Sequence, residues 1–348
     1  MTLCVAWIRE ARESEELIFA TDSTLTGGEK WNHGVKLFEL PRRDCLLCFA
    51  GETYRAYPLI LNLISTIKHN EKLQDPTLDL QEVLYGITET FTELVKSIFE
   101  KPSGDTSHIG AEAKFLFGGW SWRESQFKIW RLYYSDDAKG FVFNEEAVEN
   151  KLGKITFLGD PEGNAENGEK NIVEIANKKY KEALIKKDRF DGKLDMEPLD
   201  VLVDMCRDGS IREVDGALQI GKIYRSGTNE FFGVMWQSIK GKPTFLGKIY
   251  NKHNKPKVKY IDPDTCEILE DDIPKSLVNI RDFSGSDDFD FLESCYSQDD
   301  NFLKEDISEK EKEKLILIFR EYSYSAFLKA AEENLQLKTP TATRNIDE

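Results

Sequence analysis

Hydrophobic and polar positions along this chain fall into blocks of two different periods. Short apolar runs bounded by charged or turn residues predict strands at residues 2–8 and 17–21, joined by the charged segment Arg9–Glu16 read as a turn. A second pair is predicted at 35–40 and 45–50, around Pro41-Arg42-Arg43-Asp44. The period then lengthens. Tyr57, Ile60, Leu61, Ile64 and Ile67 form one stripe and predict a helix over about 54–68. Val83, Ile87, Phe91, Leu94, Val95 and Ile98 predict another over about 80–99, with Asp79 at its N-cap. Strands follow at 114–120, 127–134 and 155–158, then helices at about 171–186 and 198–206, the latter with Pro198 in its first turn. Strands at 217–224 and 231–237 close the series. Strands and helices in separated runs predict an α+β protein of stacked antiparallel sheet and helix.

The pattern changes after about residue 240, so the chain reads as a domain over 1–240 and a C-terminal extension over 241–348. Residues 242–260 are basic with strand-like alternation. Residues 284–306 are acidic, poor in structure-forming residues, and read as a solvated tether. Ser308–Asn334 reads as one amphipathic helix, and 339–348 as a disordered tail.

Composition narrows the function classes. Hydrophobic residues make up 40% of the 348, enough for a sizeable core. A net charge of −16 disfavours nucleic acid and anionic membranes as partners, since both require clustered Lys and Arg. There is no apolar run near 18 residues, and Arg9–Glu16 is charged where a signal peptide would be apolar; a soluble, cytoplasmic protein is expected. Cys45 and Cys48 have CxxC spacing but sit in an apolar run with no second pair, which predicts core cysteines. The four histidines never pair at ligand spacing, and neither a metal site nor a cofactor is expected.

The candidate chemistry lies in the first fifty residues. Thr2 opens the first strand, and loss of Met1 would leave it with a free α-amine. Such a threonine is nucleophile and base at once: the hydroxyl attacks and the neutral amine takes its proton. It needs a lysine to hold the amine's pKa down, a carboxylate to orient that lysine, backbone N–H donors for the oxyanion, and an edge to pair with substrate. Asp22 ends the second predicted strand, Lys36 begins the third, and Gly51 ends the fourth. Taken singly, Asp22 reads as a turn residue, Lys36 as a solvated strand residue and Gly51 as a strand-to-helix turn.

Thr2-Leu3-Cys4-Val5, Asp22-Ser23-Thr24-Leu25-Thr26-Gly27, Lys36-Leu37-Phe38-Glu39-Leu40 and Phe49-Ala50-Gly51 together resemble the motifs of the proteasome β-subunit family. That family includes simpler bacterial members that dock on an ATP-driven unfoldase. The spacing from Thr2 to Asp22 is longer than the family's, and the charged segment Arg9–Glu16 absorbs the difference. Weaker matches are Phe115–Trp120 with Phe127–Tyr133, Phe157-Leu158-Gly159-Asp160, and Arg207-Asp208, so the resemblance covers about residues 2–238.

The resemblance implies a four-layer α/β/β/α sandwich, the N-terminal-nucleophile hydrolase fold, and peptide or protein hydrolysis through a threonyl ester. Thr2 would be nucleophile, Lys36 would tune its amine, Asp22 and Asp208 would orient, Gly51 would bind the oxyanion, and Thr26 would pair with the substrate backbone. It further implies a homo-oligomeric ring and an ATP-dependent unfoldase or another protein as partner. Asp160 stands where the family has a serine beside the terminal amine, or that serine is lost; a carboxylate there would hold the amine protonated. The alternatives are a non-catalytic ring or interaction subunit, and a hydrolase of small amides.

Overall fold

The structure, a computed structural model, describes residues 2–11, 14–26, 29–75, 77–97, 113–146, 154–159, 171–189, 192–209, 211, 214–236, 242–250, 255–269, 288–297, 302–304, 306–308, 310–312, 314–315 and 318–319. The chain divides into two compact units, Met1–Leu269 and Glu270–Glu348.

Among the described residues the first unit holds two sheets. β1 (Leu3–Ala11) and β2 (Ser14–Thr21) pair antiparallel in register from Cys4 opposite Thr21 to Ala11 opposite Ser14. The segment Arg9–Glu16, expected to be a turn, is therefore mostly strand. Its charges are carried by partners across the sheet: Arg9 bonds Glu16 and Asp195, and Lys222 reaches Glu16 from a neighbouring strand. Opposite charges facing each other across a ladder stabilise it. They also remove the apolar alternation by which a strand is read.

The sheet grows on both sides of this pair. β8 (Ile155–Gly159) adds to β1, while β9 (Gln219–Tyr224), β10 (Thr228–Trp236), β11 (Lys242–Phe245) and β12 (Lys248–Ile249) follow in order from β2. β13 (Tyr260–Ile261) pairs parallel with β10 and antiparallel with β14 (Ile268–Leu269). The sheet thus continues past residue 240 through the basic, alternating stretch. The second sheet has the order β3 (Leu37–Glu39), β4 (Cys45–Gly51), β5 (Ala113–Ser121), β6 (Gln126–Ser135) and β7 (Gly140–Glu145), antiparallel throughout. β7 was not expected from the sequence; its apolar part is only Phe141, Val142 and Phe143.

Each sheet buries one face against helices. Leu3, Val5 and Trp7 of β1 cluster with residues of α4 (Ile172–Lys187) and α5 (Glu197–Arg207), among them Tyr180 and Leu202. Leu47 and Phe49 of β4, with Phe115 and Phe117 of β5, cluster with Ile60 of α1 (Thr53–Lys68) and Phe91 of α3 (Leu80–Lys96). The short α2 (Glu71–Gln74) lies between these two helices in sequence. Asp79 caps α3 with Glu82 in a capping box, as its position predicted.

The opposite faces of the sheets meet in a third cluster. Cys4, Ala6, Leu17 and Phe19 come from the first sheet, and Leu46, Cys48, Ala50 and Leu116 from the second. Two glycines set the approach. A Cβ on Gly118 would come within 3.0 Å of Phe19 and 3.2 Å of Leu17 across the gap. A Cβ on Gly221 would come within 2.9 Å of Leu46 and 3.2 Å of Leu37. Each sheet thus seats the other's large side chains over its own glycine. Cys48 is fully buried here and Cys45 on the helix-facing side, both as core cysteines. Burial raises both thiols well above their ordinary range.

In the second unit, the acidic stretch expected to be a tether carries α6 (Phe289–Cys295). Phe289, Leu292 and Tyr296 recur at helical spacing despite the surrounding acids. Leu292, Cys295 and Tyr296 pack with Leu315, Ile318 and Phe319. The described residues from 310 to 319 are helical, in agreement with the amphipathic pattern. The rest of the expected helix to 334, and the tail 339–348, lie outside the described residues. Among the described residues no helix is long and apolar enough to cross a membrane.

Replacing Gly221 by valine should force the sheets apart at Leu46 and Leu37. We expect a loss of ~1–3 kcal/mol, the usual cost of overpacking, measured as a lower denaturant midpoint with unchanged slope.

Candidate active site

β2 ends at Thr21, and Asp22 follows with its side chain fully buried. Its carboxylate accepts four hydrogen bonds. Oδ1 takes the Leu3 N–H at 3.1 Å and Lys36 Nζ at 3.0 Å. Oδ2 takes the Thr24 N–H at 3.0 Å and Lys36 Nζ at 2.8 Å. Asp22 N–H in turn donates to the Leu3 carbonyl at 3.4 Å. Asp22 is therefore clamped to the residue that follows Thr2, and it holds the lysine with both oxygens.

Lys36 is 0% exposed. The solvated reading of this residue is overturned. It lies one residue ahead of β3 rather than within it, and its own N–H and that of Leu37 bond a side chain from the other sheet. Asp22 belongs to one sheet and Lys36 to the other, so their ion pair bridges the two.

The remaining expected site residues are placed as follows. Thr2 is buried immediately before β1. Gly51 ends β4 with φ 109°, a conformation L side chains rarely adopt; the chain then passes through Glu52 into α1. Thr26 is half-buried, next to the bridge between Leu25 and Trp31. Asp208 is the C-cap of α5, where its N–H bonds the Asp204 carbonyl at 3.0 Å. Its neighbour Cys206 is buried close enough to the ion pair to feel it. Burial pushes that thiol well up, the Asp22 carboxylate adds to the rise, and the Lys36 ammonium opposes it. A thiol so raised is no nucleophile near neutral pH. Gly159 lies beside the Thr2 carbonyl, and Asp160 lies outside the described residues.

The sequence reading missed three residues around this pair. Gln219, on β9, is fully buried and bonds the segment that carries Lys36. His33 Nδ1 donates to the Gly247 carbonyl at 2.8 Å. Gly247, with φ 79°, turns the chain between β11 and β12. A Cβ there would come within 2.5 Å of the Ser23 Cβ. None of these contacts leaves a short-range sequence signal, because the partners lie far apart in the chain.

Among the described residues no group of His, Cys, Asp and Glu has the geometry to hold a metal ion. A cavity of about 370 Å³ lies among Tyr54, Arg55, Pro58, Leu94 and Phe141, and none of the expected site residues lines it.

No protein-family model matches the sequence. No curated protein is significantly similar to it. Solved structures do resemble it. Anbu (ancestral beta-subunit) from Yersinia bercovieri aligns at 16% identity and TM-score 0.44, over 66% of this chain and 86% of that one. The helical assembly of the Anbu complex from Pseudomonas aeruginosa aligns at 16% identity and TM-score 0.43, over 63% and 80%. A Gly-1 mutant of Anbu from Hyphomicrobium sp. strain MC1 aligns at 12% identity and TM-score 0.39, over 64% and 80%.

Removing one partner of a buried ion pair leaves the other charge uncompensated. Lys36→Met should therefore destabilise the protein by ~3–5 kcal/mol in chemical denaturation. Lys30→Met, which breaks the exposed Lys30–Asp215 pair, should cost less than ~1 kcal/mol.

Proposed function

We propose that this chain is a threonine-type amide or peptide hydrolase with the four-layer α/β/β/α architecture of the N-terminal-nucleophile hydrolases. One observation carries the reading: the fully buried Lys36–Asp22 pair, whose carboxylate also holds the N–H of the residue after Thr2. A buried ion pair is a poor device for stability, since desolvation offsets most of its Coulombic gain. Tied through Asp22 to the residue that follows Thr2, it supports a catalytic use.

The reading requires cleavage of the Met1–Thr2 bond, which frees the Thr2 α-amine. The Thr2 hydroxyl then attacks the substrate carbonyl carbon and passes its proton to that amine. Positive charge on Lys36 disfavours a second ammonium nearby, which keeps the amine a base. Asp22 holds Lys36 in place, with Asp208 as a further orienting carboxylate. The Gly51 N–H would meet the oxyanion. As the tetrahedral adduct collapses, the amine returns the proton to the departing nitrogen, leaving a threonyl ester. Water, deprotonated by the same amine, then cleaves the ester and restores Thr2. Thr26 would pair with the backbone of an extended peptide. A homo-oligomeric ring fed by an ATP-driven unfoldase, or bound by another protein, extends the same reading.

Intact mass and a mechanism-based acylating probe, such as a β-lactone, test it. We expect Met1 absent, the adduct on Thr2, and neither adduct nor turnover in Thr2→Ala. Lys36→Arg should lose at least ~10²-fold in turnover, because a planar guanidinium cannot take the place of a compact ammonium. Met1 retained on all molecules would end the catalytic reading and favour a non-catalytic ring or interaction subunit.

A further inference from the structure

Gln219 has a side-chain amide whose whole hydrogen-bonding capacity is used at one place. It is 0% exposed, on β9 opposite Thr21 of β2. Its Oε1 accepts from the N–H of Lys36 at 3.0 Å and of Leu37 at 3.1 Å. Its Nε2 donates to the Gly34 carbonyl at 2.6 Å and the Asp22 carbonyl at 3.5 Å. An amide has two acceptor sites and two N–H donors, and all four are used here. The orientation is unique: turning the amide over would set NH₂ against two N–H groups and oxygen against two carbonyls. Glutamate could accept from Lys36 and Leu37 but would face both carbonyls with a charge. No apolar residue could replace any of the four bonds.

The segment so held has no strand of its own on that side. β3 is the edge of the second sheet, and its regular pairing begins only at Leu37. On the other side the Phe49 N–H bonds the Lys36 carbonyl at 3.3 Å. The Lys36 backbone is thus fixed from two directions, by β4 of its own sheet and by Gln219 of the other. The same Gln219 amide touches the carbonyl of Asp22, the residue whose carboxylate takes the ammonium.

We infer that Gln219 is a positioning residue: it fixes the Lys36 backbone against Asp22 and thereby sets where the Lys36 ammonium stands relative to the Thr2 amine. This rests on the proposed hydrolase reading. The physical link is Coulombic. Repulsion between two positive charges falls with distance, so an ammonium released from its place depresses the neighbouring amine less. A residue that merely stabilises the fold would lower the melting temperature and leave the amine unchanged.

The experiment is a titration of the Thr2 α-amine in the full-length mature protein. The rate of acylation by acetic anhydride is followed across pH by mass spectrometry, so no turnover is needed. In the unsubstituted protein the amine should titrate below the ~7.7–8.0 of an ordinary α-amine. In Gln219→Leu it should move up by about half a unit or more towards that value, and the acid limb of kcat/KM should move with it. Phe232→Leu, a core substitution in the same sheet, should lower the melting temperature without moving the amine. Should Gln219→Leu not fold, Gln219→Met is read the same way. A depressed amine that stays equally depressed in the Gln219 variant overturns this inference and leaves the hydrolase reading intact. An amine that is undepressed in the unsubstituted protein, or blocked by Met1, overturns both.

Discussion

The architecture turns on an ammonium and a carboxylate held together out of reach of bulk solvent. Lys36 and Asp22 each have 0% exposed side chains and sit 2.8 Å apart. Two desolvated charges persist only where geometry and additional hydrogen bonds compensate for lost hydration. Asp22 meets that condition through the backbone N–H groups of Leu3 and Thr24. Behind it, the Thr21 hydroxyl donates to the Asp22 carbonyl while accepting from the Cys4 thiol. The polar groups around the pair form a connected network, the arrangement in which buried polarity is tolerated.

That network exists because two sheets come close at one corner. Asp22 leaves the end of β2, Lys36 precedes β3, and Gln219 reaches from β9 to both. The separation of the sheets is set elsewhere, where Phe19 and Leu17 seat over Gly118 and Leu46 and Leu37 over Gly221. Small residues under large ones allow close packing without voids. Leu37, packed over Gly221, is adjacent in sequence to Lys36, so the seam positions the chain from which the lysine projects. The apolar seam and the ion pair are coupled through this one-residue step.

Much of this was legible in the sequence, and the remainder was hidden for definite reasons. Periodicity located β1 to β6, α1, α3, α4 and α5, because each helix buries one stripe while the central strands, buried on both faces, read as short apolar runs. The acid-rich ends of β1 and β2 were misread as a turn because Arg9, Glu16 and Lys222 supply in charge pairs what the pattern seeks in apolar residues. β7 was missed because three apolar residues make too short a run. Lys36 and its carboxylate partner Asp22 follow from the resemblance of their motifs, but the burial of the lysine does not, since its neighbours in sequence do not show what packs over it. Gln219 was invisible for the same reason, being 183 residues from the N–H it accepts.

The segment after residue 240 carries the last step. By composition it parts company with what precedes it, yet β11 pairs with β10 and the turn at Leu246 and Gly247 reaches the loop after β2. Gly247 packs against Ser23, and its carbonyl takes His33. Ser23 also gives its hydroxyl to the Asn32 carbonyl, and its own carbonyl accepts the Gly34 N–H. The loop from Asp22 to Lys36 is thus fastened at Ser23, His33, Gly34 and Lys36, by β11–β12 on one side and Gln219 on the other. A buried charge pair spanning fourteen residues of largely irregular chain requires such fastening. Ordering each residue of that loop costs conformational entropy that the pair alone does not offset, and these contacts contribute towards it.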